Sequence, residues 1–293
     1  MQNNLTHPSS NSISTNPARV RKIGRLLIQL GKISIEDVEK IQLAQEKHGL
    51  MFGDAALKLG LISEADVRQV LAMQFNYPYL QAGQGSFSED LIAAYQPFSP
   101  QVEALRALRS QLMMRWFNED NKALAIVSAN AGEGGSYLAA NLAVMFSQLG
   151  ERTLLVDANM RDPRQHTIFN LKENCGLSDI IAARAGVDVV SKIDFFEDLS
   201  VLGAGTIPPN PQELLNRTSF TYFMNQATNH YDIVLVDTPP ATATADAQAI
   251  VAHCGGALLV SRLNHTRFAD ITEVRNQISV TGAQVVGAVI NDF

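Results

Sequence analysis

The apolar run Leu124-Ala125-Ile126-Val127 leads directly into Ser128-Ala129-Asn130-Ala131-Gly132-Glu133-Gly134-Gly135-Ser136, and an Ala140-Asn141-Leu142-Ala143 helical stretch follows. Strand, glycine-rich turn and helix in immediate succession form the context in which backbone N–H groups and a helix N-terminus wrap a polyphosphate. Gly132, Glu133, Gly134, Gly135, Ser136 and Tyr137 are therefore the expected nucleotide-binding residues. The pattern calls for a lysine before the serine, reaching the β- and γ-phosphates, and that position is Gly135. The loop is expected to hold its nucleotide with a weakened grip.

Two further apolar strands end in carboxylates. Ile233-Val234-Leu235-Val236 closes on Asp237 before Thr238-Pro239-Pro240, the Walker B form, whose carboxylate holds Mg²⁺ in partnership with the Ser136 hydroxyl. Leu154-Leu155-Val156 closes on Asp157, ahead of Ala158-Asn159-Met160-Arg161-Asp162-Pro163. Either strand alone says little, because many buried strands end in Asp at a turn. All three motifs in this order specify a nucleotide site. Strands are expected at 123–128, 153–157, 199–202, 233–237, 257–260 and 284–290, with helices between them. That alternation predicts an α/β fold, a doubly wound parallel sheet with its ligand at the strand C-termini.

Ahead of this domain lies a repeat. Residues 22–45 and 51–74 match at a fixed offset: Gly24 with Gly53, Leu30 with Leu59, Gly31 with Gly60, Ile33-Ser34 with Ile62-Ser63, Asp37-Val38 with Asp66-Val67, and Gln45 with Gln74. Each copy reads as a short helix, a glycine stop, a serine N-cap and a second amphipathic helix. Two such pairs can share a core that one cannot close. The division expected from composition is a floppy tail over 1–20, rich in Asn, Ser and Thr, an all-α repeat domain over 21–80, a linker over 81–99 and the nucleotide domain over 100–293.

The net charge of −6 gives no field for holding DNA or RNA, so no nucleic-acid partner is expected. Cys175 and Cys254 lack ligand spacing and read as reduced thiols. No apolar stretch reaches the ~20 residues of a membrane span.

On these motifs the chain from about Pro97 to Phe293 resembles the bacterial tyrosine kinases that work with chain-length determinant proteins in capsule and exopolysaccharide export, relatives of MinD- and ParA-like P-loop NTPases, and within them the stand-alone EpsG-like branch. The resemblance implies ATP or ADP with Mg²⁺ as cofactors, and an extra carboxylate motif in which Asp157 assists Mg²⁺ and accepts the tyrosine proton. It further implies catalytic roles for Asp157, Asp237 and Arg161, and an adenine contact at Asn291. Glu103-Ala104-Leu105-Arg106-Ala107-Leu108-Arg109 matches the family's Glu-x-x-Arg-x-x-Arg helix, implying a homo-oligomer through Glu103, Arg106 and Arg109. The implied setting is cytoplasmic, recruited to the inner face of the membrane by the chain-length determinant protein. Residues 21 to about 80 resemble the N-terminal domain of type II secretion and pilus assembly ATPases, a group that includes cyclic di-GMP-binding versions; cyclic di-GMP and a protein docking partner both stay open for this segment.

The chain departs from the family at Asn159, where the family usually has Asp, and in three further places. Gly135 replaces the lysine, Asn130 stands where MinD-type loops carry their extra lysine, and no Tyr follows Tyr231, so the C-terminal tyrosine cluster is missing. A charged hydrogen bond is worth ~1.5–3 kcal/mol, so the missing ammonium should weaken ATP roughly 10- to 100-fold. Cationic stabilisation of a transferring phosphoryl is worth ~10³–10⁵ in rate, so the chemical step suffers more. Arg161 or Arg164 could supply the charge. Three functions follow: a kinase of polysaccharide export, a nucleotide-sensing pseudokinase, or a MinD/ParA-like ATPase.

Overall fold

Gly31 and Gly60 occupy equivalent places in the repeat, and both adopt left-handed backbone, with φ of 67° and 68°. A side chain there would strain the turn, so the two glycines stop the first helix of each copy at the same point. The computed structural model describes residues 17–74, 80 and 85–292, which fall into two units, 1–77 and 78–293. The first holds α1 (Pro17–Gln29), α2 (Ile35–His48), α3 (Phe52–Lys58) and α4 (Glu64–Gln74). Helix α1 starts inside the stretch expected as a tail; residues 1–16 of that stretch lie outside the described residues.

Ser34 and Ser63 cap α2 and α4 in the same way. Each serine Oγ accepts from the backbone N–H three residues on, at 3.2 Å, and each serine N–H donates to the aspartate found there, Asp37 at 3.0 Å or Asp66 at 2.8 Å. The buried core pairs equivalent positions, Leu27 with Ala56, Ile33 with Ile62 and Ile41 with Val70, and is filled by Phe52 and Ala55. Gly24 is close-packed: a Cβ there would sit 3.2 Å from Phe52 Cζ.

The second unit begins with α5 (Ile92–Tyr95) and α6 (Pro100–Arg115). It continues as β1 (Ala123–Ser128), α7 (Gly135–Ser147), β2 (Thr153–Asp157), α8 (Gln165–Ile168), α9 (Leu177–Ile181), β3 (Ser191–Lys192), β4 (Leu199–Leu202), α10 (Pro211–Leu215), α11 (Thr218–His230), β5 (Ile233–Asp237), α12 (Asp246–Cys254), β6 (Gly256–Arg262), α13 (Phe268–Val280) and β7 (Gln284–Asn291). The sheet order is β3-β4-β2-β5-β1-β6-β7, parallel except for the two-residue β3. Alternate residues of β1 feed opposite faces: Leu124 and Ile126 pack with α6 and α7, Ala123, Ala125 and Val127 with α11 and α12. This is a doubly wound sheet with an apolar layer on each side.

Residues 85–99 do not behave as the linker their composition suggested; residues 81–84 lie outside the described ones. Leu91, Ala93 and Ala94 are fully buried against the sheet unit. Asn141, itself fully buried on α7, accepts from Ala93 N at 2.9 Å and donates to Asp90 O at 2.9 Å. Ser88 N donates to Ile168 O at 2.9 Å, and the Phe87 ring contacts Phe169 and Phe196. The segment is too short for a period, but a few apolar anchors and one buried amide strap it down. Among the described residues no helix is long and apolar enough to cross a membrane, and both cysteines are free, Cys175 exposed and Cys254 buried.

Candidate nucleotide site

Parallel pairing places the two strand-end carboxylates side by side, since Asp157 and Asp237 are register partners on β2 and β5. Both are fully buried. Between them and the glycine-rich loop stands the first residue of α8. Gln165 Nε2 donates to Asp237 Oδ2 at 2.8 Å and to the Ser136 carbonyl at 3.1 Å. Asp157 accepts the N–H groups of Asn159 (3.2 Å), Arg164 (3.0 Å) and Gln165 (2.9 Å). Gln165 thus links Ser136, Asp157 and Asp237.

The electrostatics are those of a site short of positive charge. Burial pushes the Asp237 carboxyl up to about 6, against the lowering pull of the Gln165 hydrogen bond and the Ser136 side chain. Burial and the adjacent Asp237 raise Asp157 well above the ordinary carboxylate range, although three N–H groups pull it down. Asp237 Oδ1 is buried with no hydrogen-bond partner. A cation fits here. Two carboxylates and a serine suit Mg²⁺, an ion that keeps waters and phosphate oxygens in its shell.

The loop presents the complementary half. Gly134 has φ 88° and α7 begins at Gly135 with no side-chain cap, so the first-turn N–H groups have no intrahelical acceptor and face outward for an anion. Gly132 is also left-handed, with φ 77°. Gly135 is not: a Cβ there would meet Ser128 Oγ at an ordinary 3.5 Å, so the backbone does not demand glycine where the lysine is missing.

Some of the expected ligand residues brace the loop instead. The Glu133 side chain is 1% exposed and turned inward, accepting from Asn130 N (3.0 Å), Asn130 Nδ2 (3.1 Å) and Thr266 Oγ1 (2.6 Å). Asn291 Nδ2 donates to the Glu133 carbonyl at 2.8 Å, tying the end of β7 to the loop. Tyr137 is half-buried, and burial and the Asp90 charge raise its hydroxyl. Arg161 is anchored by the buried Asp246, Nε to Oδ2 at 2.7 Å and Nη2 to Oδ1 at 3.3 Å, a pair that draws it toward α12. Two residues escaped the sequence reading. Gln165 lay in a loop with no motif of its own, and Arg262, which reaches the Gly132 carbonyl at 3.5 Å, was legible only as the last residue of β6 at the ligand edge of the sheet.

On α6, Glu103 is largely exposed and holds Arg106 at 2.7 Å. Arg106 also donates to the Pro97 carbonyl, and Arg109 to the Met145 carbonyl of α7 at 2.9 Å.

A phosphate loop on a doubly wound sheet, with paired carboxylates at adjacent strand ends, defines a P-loop nucleotide-site class, and a family model described as ParA, NUBPL iron-transfer P-loop NTPase, matches residues 120–292. CapB of Staphylococcus aureus is 36% identical over 67% of this chain and 86% of its own length. The tyrosine-protein kinase YwqD of Bacillus subtilis is 33% identical over 72% and 90%. The crystal structure of the chimerical protein CapA2B2 superposes with TM-score 0.66 at 35% identity, covering 78% of this chain and 98% of that one. The chain belongs to the bacterial tyrosine-protein kinases, which carry a ParA-type P-loop domain.

Proposed function

We propose that the second unit binds ATP or ADP with Mg²⁺, and that the chain acts as a kinase-family regulator of exopolysaccharide polymerisation and export. The observation that carries the nucleotide reading is the partnerless, buried Asp237 Oδ1 beside Ser136 at the uncapped start of α7. Ser136, Asp157 and Asp237 would hold the cation. Mg²⁺ held there would supply positive charge to offset that developing on a transferring phosphoryl group. The loop N–H groups would orient the phosphates, Asn291 would contact the adenine, and Asp157 would take a tyrosine proton. Arg161, tied to Asp246, is available to the phosphates only if that pair opens.

Gly135 favours a second reading, a slow or inactive member that senses nucleotide and switches assembly. Its partners would be a second copy, through the α6 face bearing Glu103, Arg106 and Arg109, and a membrane chain-length determinant protein that recruits this chain to the cytoplasmic face. Of the glycines that open the two helical repeats, Gly24 is held by packing against Phe52 while Gly53 makes only ordinary contact with Val67; the first unit would serve as a protein-docking module, with cyclic di-GMP binding as the alternative.

Calorimetry with Mg²⁺–ADP beside a phosphotyrosine assay tests both readings. Gly135→Lys should tighten ATP by about one to two decades, the worth of one charged hydrogen bond. No binding at millimolar nucleotide would end the nucleotide reading. Binding without phosphotyrosine, rescued by Gly135→Lys, would select the sensor.

A further inference from the structure

Gln165 is fully buried, and its amide orientation is fixed by what surrounds it. Its nitrogen faces two groups that can only accept, the Ser136 carbonyl and Asp237 Oδ2, so both N–H protons are engaged. Reversing the amide would set oxygen against oxygen at both contacts. Its Oε1 is consequently committed to the remaining direction, where it is buried without a donor. Asp237 Oδ1 is in the same condition. Two partnerless acceptor oxygens, on side chains joined by a 2.8 Å hydrogen bond, cannot satisfy each other. Both look for a cation or for the water bound to one.

We propose that Gln165 is a positioning residue of the cation site, whose Oε1 accepts from a water in the shell of the divalent ion held by Ser136 and Asp237. The amide nitrogen links the carbonyl of the loop serine to Asp237, which leaves the oxygen for the shell of the ion. The backbone contributes as well: the N–H of Gln165 holds Asp157, so one residue touches both carboxylates and the loop. A neutral amide suits the task, because a third carboxylate would add charge that a single divalent ion could not offset in so buried a place.

This inference rests on the Mg²⁺–nucleotide reading, and the test separates the two. Fluorescent ADP binding is measured on the full chain with Mg²⁺ and with EDTA, and Mn²⁺ binding is followed by electron paramagnetic resonance. Gln165→Met, close in volume, should weaken ADP about tenfold with Mg²⁺ and leave the EDTA value within about twofold, the size of one hydrogen bond to a charged centre. Gln165→Glu keeps an oxygen but loses the Nε2 donor and adds a third carboxylate, so it should raise the Mn²⁺ concentration needed for half-saturation. Equal loss of ADP with and without Mg²⁺ in Gln165→Met would reduce Gln165 to a brace and overturn the proposal. So would an unchanged Mn²⁺ requirement in Gln165→Glu, which serves if the methionine variant fails to fold. Wild-type protein that binds ADP equally in EDTA would overturn the Mg²⁺ reading itself, and this proposal with it.

Discussion

The helical repeat and the sheet unit handle polar groups in opposite ways. In the repeat, serines and aspartates sit at exposed helix starts and satisfy each other: Ser34 with Asp37, Ser63 with Asp66. No polar side chain is buried among the described residues of that unit, whereas the sheet unit buries Glu133, Asn141, Asp157, Gln165, Asp179, Asp237 and Asp246. Asp179 and Asp246 are answered by Arg184 and Arg161. Among the described residues no arginine or lysine pairs with Asp157 or Asp237. A fold that needed only stability would not bury two adjacent carboxylates. The difference locates function: the repeat's polar residues hold its shape, and the site's polar residues cost stability until a ligand arrives.

The comparison breaks first if the repeat is not a self-contained core. Ile41→Ala removes a fully buried side chain and should cost ~2–5 kcal/mol, a large share for a four-helix unit. Scanning calorimetry should show one transition move down and the other stay, with ADP affinity unchanged. A single transition that shifts as a whole would mean the two units do not fold independently.

The second test turns on sign. Asp237 has a folded-state pKa of about 6 against an ordinary 3.8, so its contribution favours folding when protonated. That contribution is present below the ordinary value and lost as pH rises through about 6. Ligand-free protein should therefore lose stability between about pH 4 and 6, and Mg²⁺–ADP should flatten the loss. Asp237→Asn should stabilise the ligand-free chain at neutral pH by on the order of 3 kcal/mol, from a shift of that size, while abolishing Mg²⁺-dependent nucleotide binding. Denaturant titrations at the two pH values check this. A destabilised Asp237→Asn, with its pH dependence intact, would show that the carboxylate is structurally satisfied after all.

Much of this was legible in the chain. The phosphate loop and both carboxylate strands could be read because their chemistry needs particular residues at particular places, and strands 123–128, 153–157, 199–202 and 233–237 carry the continuous apolar runs of a sheet covered on both faces. The two-residue β3 has no pattern to read. The strap over 85–96 was read as a linker because its hold depends on long-range contacts, Asn141 above all, which lies 48 positions from Ala93. Gln165 was invisible for the same reason: its partners, Ser136 and Asp237, lie 29 and 72 positions away. A periodic pattern announces an element, but a single buried amide announces nothing until the sheet has brought its partners together. Glu133 shows the converse, since its place in the loop suggested a ligand contact while Thr266 and Asn130 turn its side chain inward.

The smallest expected effect sharpens the comparison most, because it asks whether the two repeats are equivalent. Ser34→Ala and Ser63→Ala each remove an N-cap oxygen that accepts from the third helical N–H, a loss of ~1 kcal/mol. The surroundings differ in one respect. Lys32 bridges to Asp66 at 2.8 Å, and the position equivalent to Lys32 in the second copy is Leu61, so no such ion pair reaches Asp37, which instead holds Lys40 within its own helix. Burial opposes ionisation of Asp66, but Lys32 and the Ser63 donors hold its carboxyl down at about 2. With Ser63 truncated, Lys32 still orients Asp66 toward the vacated N–H end of α4. Ser63→Ala should therefore cost slightly less than Ser34→Ala, by a few tenths of a kcal/mol, the scale of an exposed ion pair. Adding Lys32→Leu should erase that difference. Because Asp66 is held low, its contribution exists above the ordinary carboxylate range and fades as pH falls toward 2, so the gap between the two serine variants should also close in acid. Chemical denaturation of the four single and double variants, at neutral and acid pH, reads all of this. A Ser63→Ala cost well above that of Ser34→Ala would mean the second copy leans on its cap more than the first, and that the likeness of the two repeats is one of sequence and shape but not of energetics.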